Sequence, residues 1–409
     1  MQLNKEIINN HAVFSLVANF TLGTSILSII AGTAAYAAQD TWIVTLITMV
    51  LGLPFLWLYF YLGDLFPNKT LVQILQEVFG KWVGSILSAY LVFFICFLSV
   101  SQVIFYMGNF TKVEYMTETP LYAFNALLVI SIAVGLLYGI ETIARSTEIF
   151  IYIVSCLILL TILLDLPNIR PEHLVPVCEN GIRPILQGCV YLNSYMSWPL
   201  IVFFMFYPLN ITEKAKARKS FYLGYLWASF LTFLCSIMCI LILGPNITAK
   251  TSYPLYLMSK EIDISTITRV EGFITFSWMF AEFTKVCVYS YAGMIGFVQL
   301  FNIKNYKKMV IPIGISILIF SGVVYPDSAY QIKWDSTTWV ASIGTIGFVL
   351  PVLLIIIKKM QDAFKNPKDI KKEKAKKKEL NNNTKSILYL ILATVVIIAS
   401  ILLIRFFLK

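Results

Sequence analysis

The chain has 409 residues, of which 58% are hydrophobic and only 13% charged, and its mean hydropathy is +0.77. Soluble globular proteins carry about 25% charge, so this composition excludes a soluble domain and describes an all-α integral membrane protein. The formal net charge of +10 is concentrated near the C-terminus, where residues 358–379 hold ten Lys against four acidic residues; that is a local cytoplasmic flank, read first as a stop-transfer signal and alternatively as a site for anionic lipids or a partner subunit, not a nucleic-acid face.

A spanning helix needs about 20 mostly apolar residues. Eleven segments qualify, at about 11–35, 41–61, 82–108, 120–138, 141–165, 188–208, 218–244, 268–300, 307–325, 337–357 and 386–408. The first ends in AYAAQ, which has the small residues of a signal-peptide cleavage site, but its apolar run is too long for a signal sequence and it reads as helix one. Within it, FTLGTSILSIIAG places Gly23 among Thr21, Thr24 and Ser25. Gly23 is the expected unwinding point, where freed backbone N–H groups can meet a carboxylate. At the start of helix two, Asp40 is expected to cap the N-terminus and Trp42 to anchor at the interface. The linker FPNKTLVQILQEVFGKW repeats apolar residues at helical spacing (Leu71, Ile74, Leu75, Val78, Phe79) and predicts an interfacial amphipathic helix.

Helix three offers Ser101 and Gln102, with Tyr90 and Phe94 as further candidates whose bland role is core packing. In GIETIARSTEI, Glu141 and Glu148 flank Arg145 at minus four and plus three, so the three are expected to share one face as a structural charge cluster. Cys178 and Cys189 are the only cysteines placed to approach each other outside the apolar segments, and no disulfide is expected between them. Helix six, YLNSYMSWPLIVFF, clusters Asn193, Ser194 and Ser197 before Trp198 and Pro199. Pro199 removes an N–H and disfavours helix at Trp198, so a second interruption is expected there.

Helix eight contains TFSWMFAEFTKVCVYSYAG, with a lysine in its middle. A charge at the bilayer centre costs roughly 2.5–3.5 kcal/mol on insertion scales. At 100° per residue, Glu271, Trp278, Glu282, Lys285 and Tyr289 fall on one face. Glu282 and Lys285 are expected to neutralise each other or to serve coupling, with the Lys285 ammonium standing in for a cation.

Ten spans divide into five plus five, and an odd number per half inverts the second half relative to the first. That arithmetic predicts an inverted-repeat fold with interrupted helices one and six and a ligand at the breaks. Before the basic tail, eleven Lys and Arg fall on the N-terminal side of the membrane against seven on the other, which places the N-terminus in the cytoplasm and the C-terminus outside if segment eleven spans. The chain divides into a core at 1–360, a Lys-rich linker at 361–385 and an added helix at 386–409. His11 and His173 are the only histidines; no metal spacing, activated nucleophile or phosphate loop is present, so neither an enzyme nor a cofactor is expected.

GTSIL at 23–27, AAQDTWI at 37–43, FPNKTL at 66–71, GKWVG at 80–84, Thr119-Pro120, GIETIARSTEI at 139–149, LVPVCENGIRPILQG at 174–188, RVEG at 269–272 and Lys285 occur in that order. In this arrangement the chain resembles the B-subunit family of spore nutrient germinant receptors, the spore germination permeases of the amino acid, polyamine and organocation transporter superfamily. The resemblance covers about residues 8–360. It implies a LeuT-like ten-helix core in the inner spore membrane, an A-type subunit and a C-type lipoprotein as partners, and a small nutrient, commonly an amino acid, as ligand. The ligand site would draw on Thr21, Gly23, Thr24, Ser25, Ser101, Gln102, Asn193, Ser194 and Ser197. Two departures stand out: Ser197-Trp198-Pro199 where many relatives carry an acidic residue, and the added linker and eleventh helix. The rival reading is a proton-coupled amino-acid transporter with Glu282 and Lys285 in the proton path.

Overall fold

The computed structural model describes residues 7–211, 213–262 and 269–363, and among these there is no strand. Segment eleven and most of the Lys-rich linker lie outside the described residues. Each of the ten core segments has a helical counterpart.

The first half opens with α1 (Asn10–Leu27), capped by Asn9, whose side chain accepts the Ala12 N–H at 2.7 Å. After Ser28 the chain continues as α2 (Ile29–Ala37), then through a short 3-10 turn into α3 (Thr41–Leu65). The amphipathic linker is α4 (Leu71–Phe79), started by a reciprocal capping box between Thr70 and Gln73 and buried along Leu71, Ile74, Leu75, Val78 and Phe79. The third span runs from α5 (Lys81–Phe93) through a π-helical turn at Phe94–Ser99 into α6 (Val100–Glu114); α7 (Leu121–Tyr138) and α8 (Ile140–Asp165) complete this half.

The second half begins with α9 (Ile182–Met196), which tightens at Pro199 into a 3-10 segment, Trp198–Met205, before the single turn α10 (Tyr207–Asn210). Next come α11 (Lys214–Lys250), kinked where Gly244 takes φ 76° ahead of Pro245, α12 (Pro254–Lys260) and α13 (Glu271–Leu300). Then follow α14 (Val310–Val323), α15 (Ser328–Ser336), α16 (Thr338–Gly344), a π-helical turn and α17 (Leu350–Ala363).

Among the described residues, eight helical stretches are long and apolar enough to cross a membrane, and they differ in exposure: the most apolar stretch of Ile182–Met205 is 94% buried, that of Leu121–Tyr138 only 22%. Ile182–Met205 is therefore central and Leu121–Tyr138 peripheral. α1 is central too, packed against α11, α13 and α8, and nearly all its side chains are buried.

Four local expectations are corrected. Helix one is continuous through Gly23 and breaks at Ser28, because a lone glycine without a neighbouring proline leaves the hydrogen-bond ladder intact; the N–H groups just after Gly23 stay in the helix. Asp40 makes no cap bond to α3; both its oxygens accept the Cys178 N–H, at 3.0 and 3.1 Å, so it fastens the loop before α9 instead. Tyr90 is 52% exposed and belongs to neither core nor cavity. In the charge cluster, Arg145 pairs with Glu141 at 2.8 Å, while Glu148 turns to His11 at 3.3 Å because the start of α1 lies against α8. Cys178 and Cys189 are free thiols.

Candidate functional site

On α13, Trp278, Glu282, Lys285 and Tyr289 share one face and are all buried, as their spacing predicts; Glu271, at the helix start, is only partly so. That face meets α1 at Gly23. A Cβ at Gly23 would stand 3.0 Å from Glu282 Oε2 and 3.2 Å from Lys285 Cδ, so the missing side chain is what allows this approach.

Glu282 and Lys285, expected to neutralise each other, do act on each other electrostatically, but without a direct hydrogen bond between them. The Thr24 hydroxyl and Trp278 indole face the Glu282 carboxylate, yet neither of its oxygens has a partner at hydrogen-bond geometry. Lys285 Nζ instead reaches the Tyr195 carbonyl at 3.5 Å and lies 5.2 Å over the Phe20 ring. Pro199 explains the first contact. In a continuous helix Tyr195 O would accept from the N–H of residue 199, and proline has none. The carbonyl freed at the end of α9 is also where a helix favours a cation. One residue earlier, Ser194 O accepts the Trp339 indole N–H at 3.2 Å.

Lys285, Tyr195 and Trp339 border a narrow cavity of about 10 Å³, room for about one water. Thr24 enters from α1, Ser99, Gln102 and Tyr106 from the third span, and Tyr195 from α9. Lys285 and Tyr289 come from α13, and Trp339 from α16. Ser99 closes the π-helical turn, a distortion frequent at functional sites. Beside the cavity lies an acid and phenol cluster. Tyr106 and Tyr325 both donate to Asp335 Oδ1, at 2.6 and 3.2 Å, and the Tyr195 hydroxyl donates to the Asp335 carbonyl at 2.9 Å.

Of the ligand residues expected from sequence, only Thr24 and Gln102 line the cavity. Gly23 sits beside it against Glu282 and Lys285, and Thr21 is buried one turn earlier with its hydroxyl unpartnered. Ser25 turns to α11, 3.1 Å from the Thr232 hydroxyl, and Ser101 to the Ile317 carbonyl of α14 at 3.4 Å. Asn193, Ser194 and Ser197 are satisfied within α9: Asn193 on Cys189 O, Ser194 on Tyr191 O, and Ser197 on Asn193 Oδ1. Phe94 is packed, its ring stacked on Trp339 at 5.6 Å. Ser99, Tyr106, Tyr195, Trp339 and Asp335 were missed. The first two carried a signal, since Ser99, Gln102 and Tyr106 are spaced three and four apart on one helical face.

A family profile described as "Spore germination protein" matches residues 7–328. Among curated relatives, spore germination protein KB of Bacillus subtilis is 25% identical over 323 residues, spanning 78% of this chain and 85% of that protein. Spore germination protein A2 of the same organism is 25% identical over 365 residues, 86% and 95% of the two chains; spore germination protein GerQB of Bacillus cereus is 22% identical over 358 residues, 85% and 95%. Among solved structures, MhsT in complex with L-phenylalanine superposes with a TM-score of 0.63 at 13% identity, covering 98% of this chain and 99% of that one. Mhp1, a nucleobase-cation-symport-1 family transporter in a closed conformation with bromovinylhydantoin bound, gives 0.63 at 12% identity over 86% and 78%. The fold is that of LeuT-like transporters, and the family and fold are permease-like rather than enzymatic.

Proposed function

Because the chain belongs to the spore germination protein family, we propose that it is the membrane subunit of a germinant receptor, binding a small nutrient in the cavity between the first, third, sixth, eighth and tenth spans. The observation that carries this reading is Lys285. It is a buried ammonium at the cavity wall, bonded to one carbonyl and lying over one ring face, with the Glu282 carboxylate acting on it electrostatically but not bonded to it; a ligand carboxylate would give it a direct ionic partner. An amino acid fits that chemistry. Thr24, Gln102 and Tyr289 would add hydrogen bonds, and Gly23 would contribute by close approach rather than through freed N–H groups.

In this reading Lys285 also replaces a coupling cation, and ligand binding biases a rocking equilibrium sensed by an A-type subunit and a C-type lipoprotein. The protein sits in the inner spore membrane with its N-terminus in the cytoplasm. A second reading, proton-coupled amino-acid transport, is favoured by the unpartnered Glu282 carboxylate next to Lys285. One experiment separates them: binding and time-dependent uptake of labelled amino acids by purified protein in proteoliposomes, with Lys285→Met as control. Saturable binding without accumulation supports the receptor. Accumulation driven by a proton gradient supports the transporter, and no binding of any amino acid overturns both.

A further inference from the structure

Two tyrosine hydroxyls converge on one oxygen of Asp335, a carboxylate held between the third span, α9 and the start of the tenth. Tyr106 lines the cavity, and its hydroxyl lies 2.6 Å from Asp335 Oδ1. A phenol has one proton to donate. With that proton committed to Asp335, the Tyr106 oxygen has only lone pairs left for the cavity. Tyr325 closes the arrangement, its hydroxyl 3.0 Å from that of Tyr106 and its ring stacked on it.

Lys285 supplies the opposite character, an ammonium with donors to spare. Tyr195 spans the two ends, its carbonyl accepting from Lys285 and its hydroxyl donating to the Asp335 carbonyl. Lys285 and Tyr106 thus offer the cavity a donor and an acceptor about the length of a tyrosine apart.

We propose that Asp335 is a positioning residue for the ligand site: acting through Tyr106, it makes the end of the cavity away from Lys285 a hydrogen-bond acceptor that selects ligands bearing an ammonium group. This rests on the nutrient-binding reading above and adds to it the residue that reads the second end of the ligand.

The test uses the full chain in lipid nanodiscs. A panel of L-amino acids is screened for binding, and each one bound is compared with the matching carboxylic acid that lacks the amino group. Wild type should prefer the amino acid. Asp335→Asn, whose amide can donate to Tyr106 and reverse the hydrogen bond, and Tyr106→Phe should each cut that preference by about tenfold, the worth of one hydrogen bond. Both should leave the affinity for the deaminated acid nearly unchanged. The double variant should lose no more than either single one, and Asp335→Glu should recover part of the preference. Equal weakening of both ligands, or an unchanged preference, would reduce Asp335 to a structural role and overturn the proposal. Should Asp335→Asn fail to fold, Tyr106→Phe decides alone. A wild type that binds no amino acid overturns the receptor reading and this inference with it.

Discussion

Gly23 of α1 and Glu282 of α13 meet so closely that a Cβ on the glycine would lie 3.0 Å from the carboxylate oxygen, with Lys285 Cδ at 3.2 Å. Such contacts are tight by a few tenths of an ångström, so Gly23→Ala requires the Glu282 and Lys285 side chains to give way. Overpacking of this kind costs about 1–3 kcal/mol. The variant is expected to accumulate in the membrane with a melting temperature a few degrees lower and an amino-acid affinity at least about tenfold weaker. Thermal unfolding in detergent and a binding isotherm on the same sample check this. Undiminished affinity would show that the approach of the two helices is irrelevant to the ligand.

Lys285→Met removes the ammonium and leaves the Tyr195 carbonyl without its donor. Truncating one partner of a buried charged contact costs about 2–5 kcal/mol, so ligand affinity should fall roughly thirtyfold or more while the protein still accumulates. Lys285→Arg should not rescue it, since the planar guanidinium needs more room than this narrow cavity gives. Equilibrium binding on the two variants is the measurement, and full activity of the arginine variant would count against a specific ammonium role.

Asp40 governs the loop before α9. Its carboxylate holds the Cys178 N–H with both oxygens while neighbouring Gln39 donates to the Pro176 carbonyl at 2.7 Å. Asp40→Ala should cost about 1.5–3 kcal/mol in that loop and speed hydrogen exchange at the Cys178 amide by at least about tenfold, whereas Asp40→Asn, which keeps one acceptor, should have a smaller effect. Exchange rates identical to wild type would mean the loop is held by other contacts.

Gly52 on α3 faces Tyr225 on α11, whose hydroxyl donates to the Thr48 carbonyl at 2.9 Å. A Cβ at Gly52 would lie 1.8 Å from that hydroxyl oxygen and 2.2 Å from the ring carbon bearing it. Gly52→Ala should therefore deplete folded protein severely. Tyr225→Ala should be harmful too, by about 3–5 kcal/mol for loss of a large buried ring, but the double variant should lose clearly less than the sum because the clash is gone. Size-exclusion profiles of the three proteins decide it, and strict additivity would show that the two residues do not share this contact.

Much of the architecture was legible because it is local. Ten apolar runs, the odd number per half, the amphipathic spacing of α4 and the shared face of Trp278, Glu282, Lys285 and Tyr289 all depend on composition and on 100° per residue. So does the interruption at Trp198-Pro199, where a missing N–H is a property of one residue. Gly23 was legible as a special position but not for its reason: within one helix a glycine suggests a break, and only the neighbour α13 shows it to be a point of close approach.

Which polar groups face the cavity belonged to the tertiary structure. Asn193, Ser194 and Ser197 carry the chemistry of ligand readers, but each can close a hydrogen bond on its own helix, and the rotation of α9 turns Tyr195 to the cavity instead. Asp335 gave no sign on its own, because its meaning comes from Tyr106, 229 positions away in the chain. The membrane, the helices and the buried Glu282 and Lys285 were readable from the sequence, since each follows from the free energy of a short segment in lipid or water. The tertiary structure decided which of those charges and hydroxyls share a cavity, since that depends on how helices from both halves pack and on which hydrogen bonds each group has already satisfied nearby.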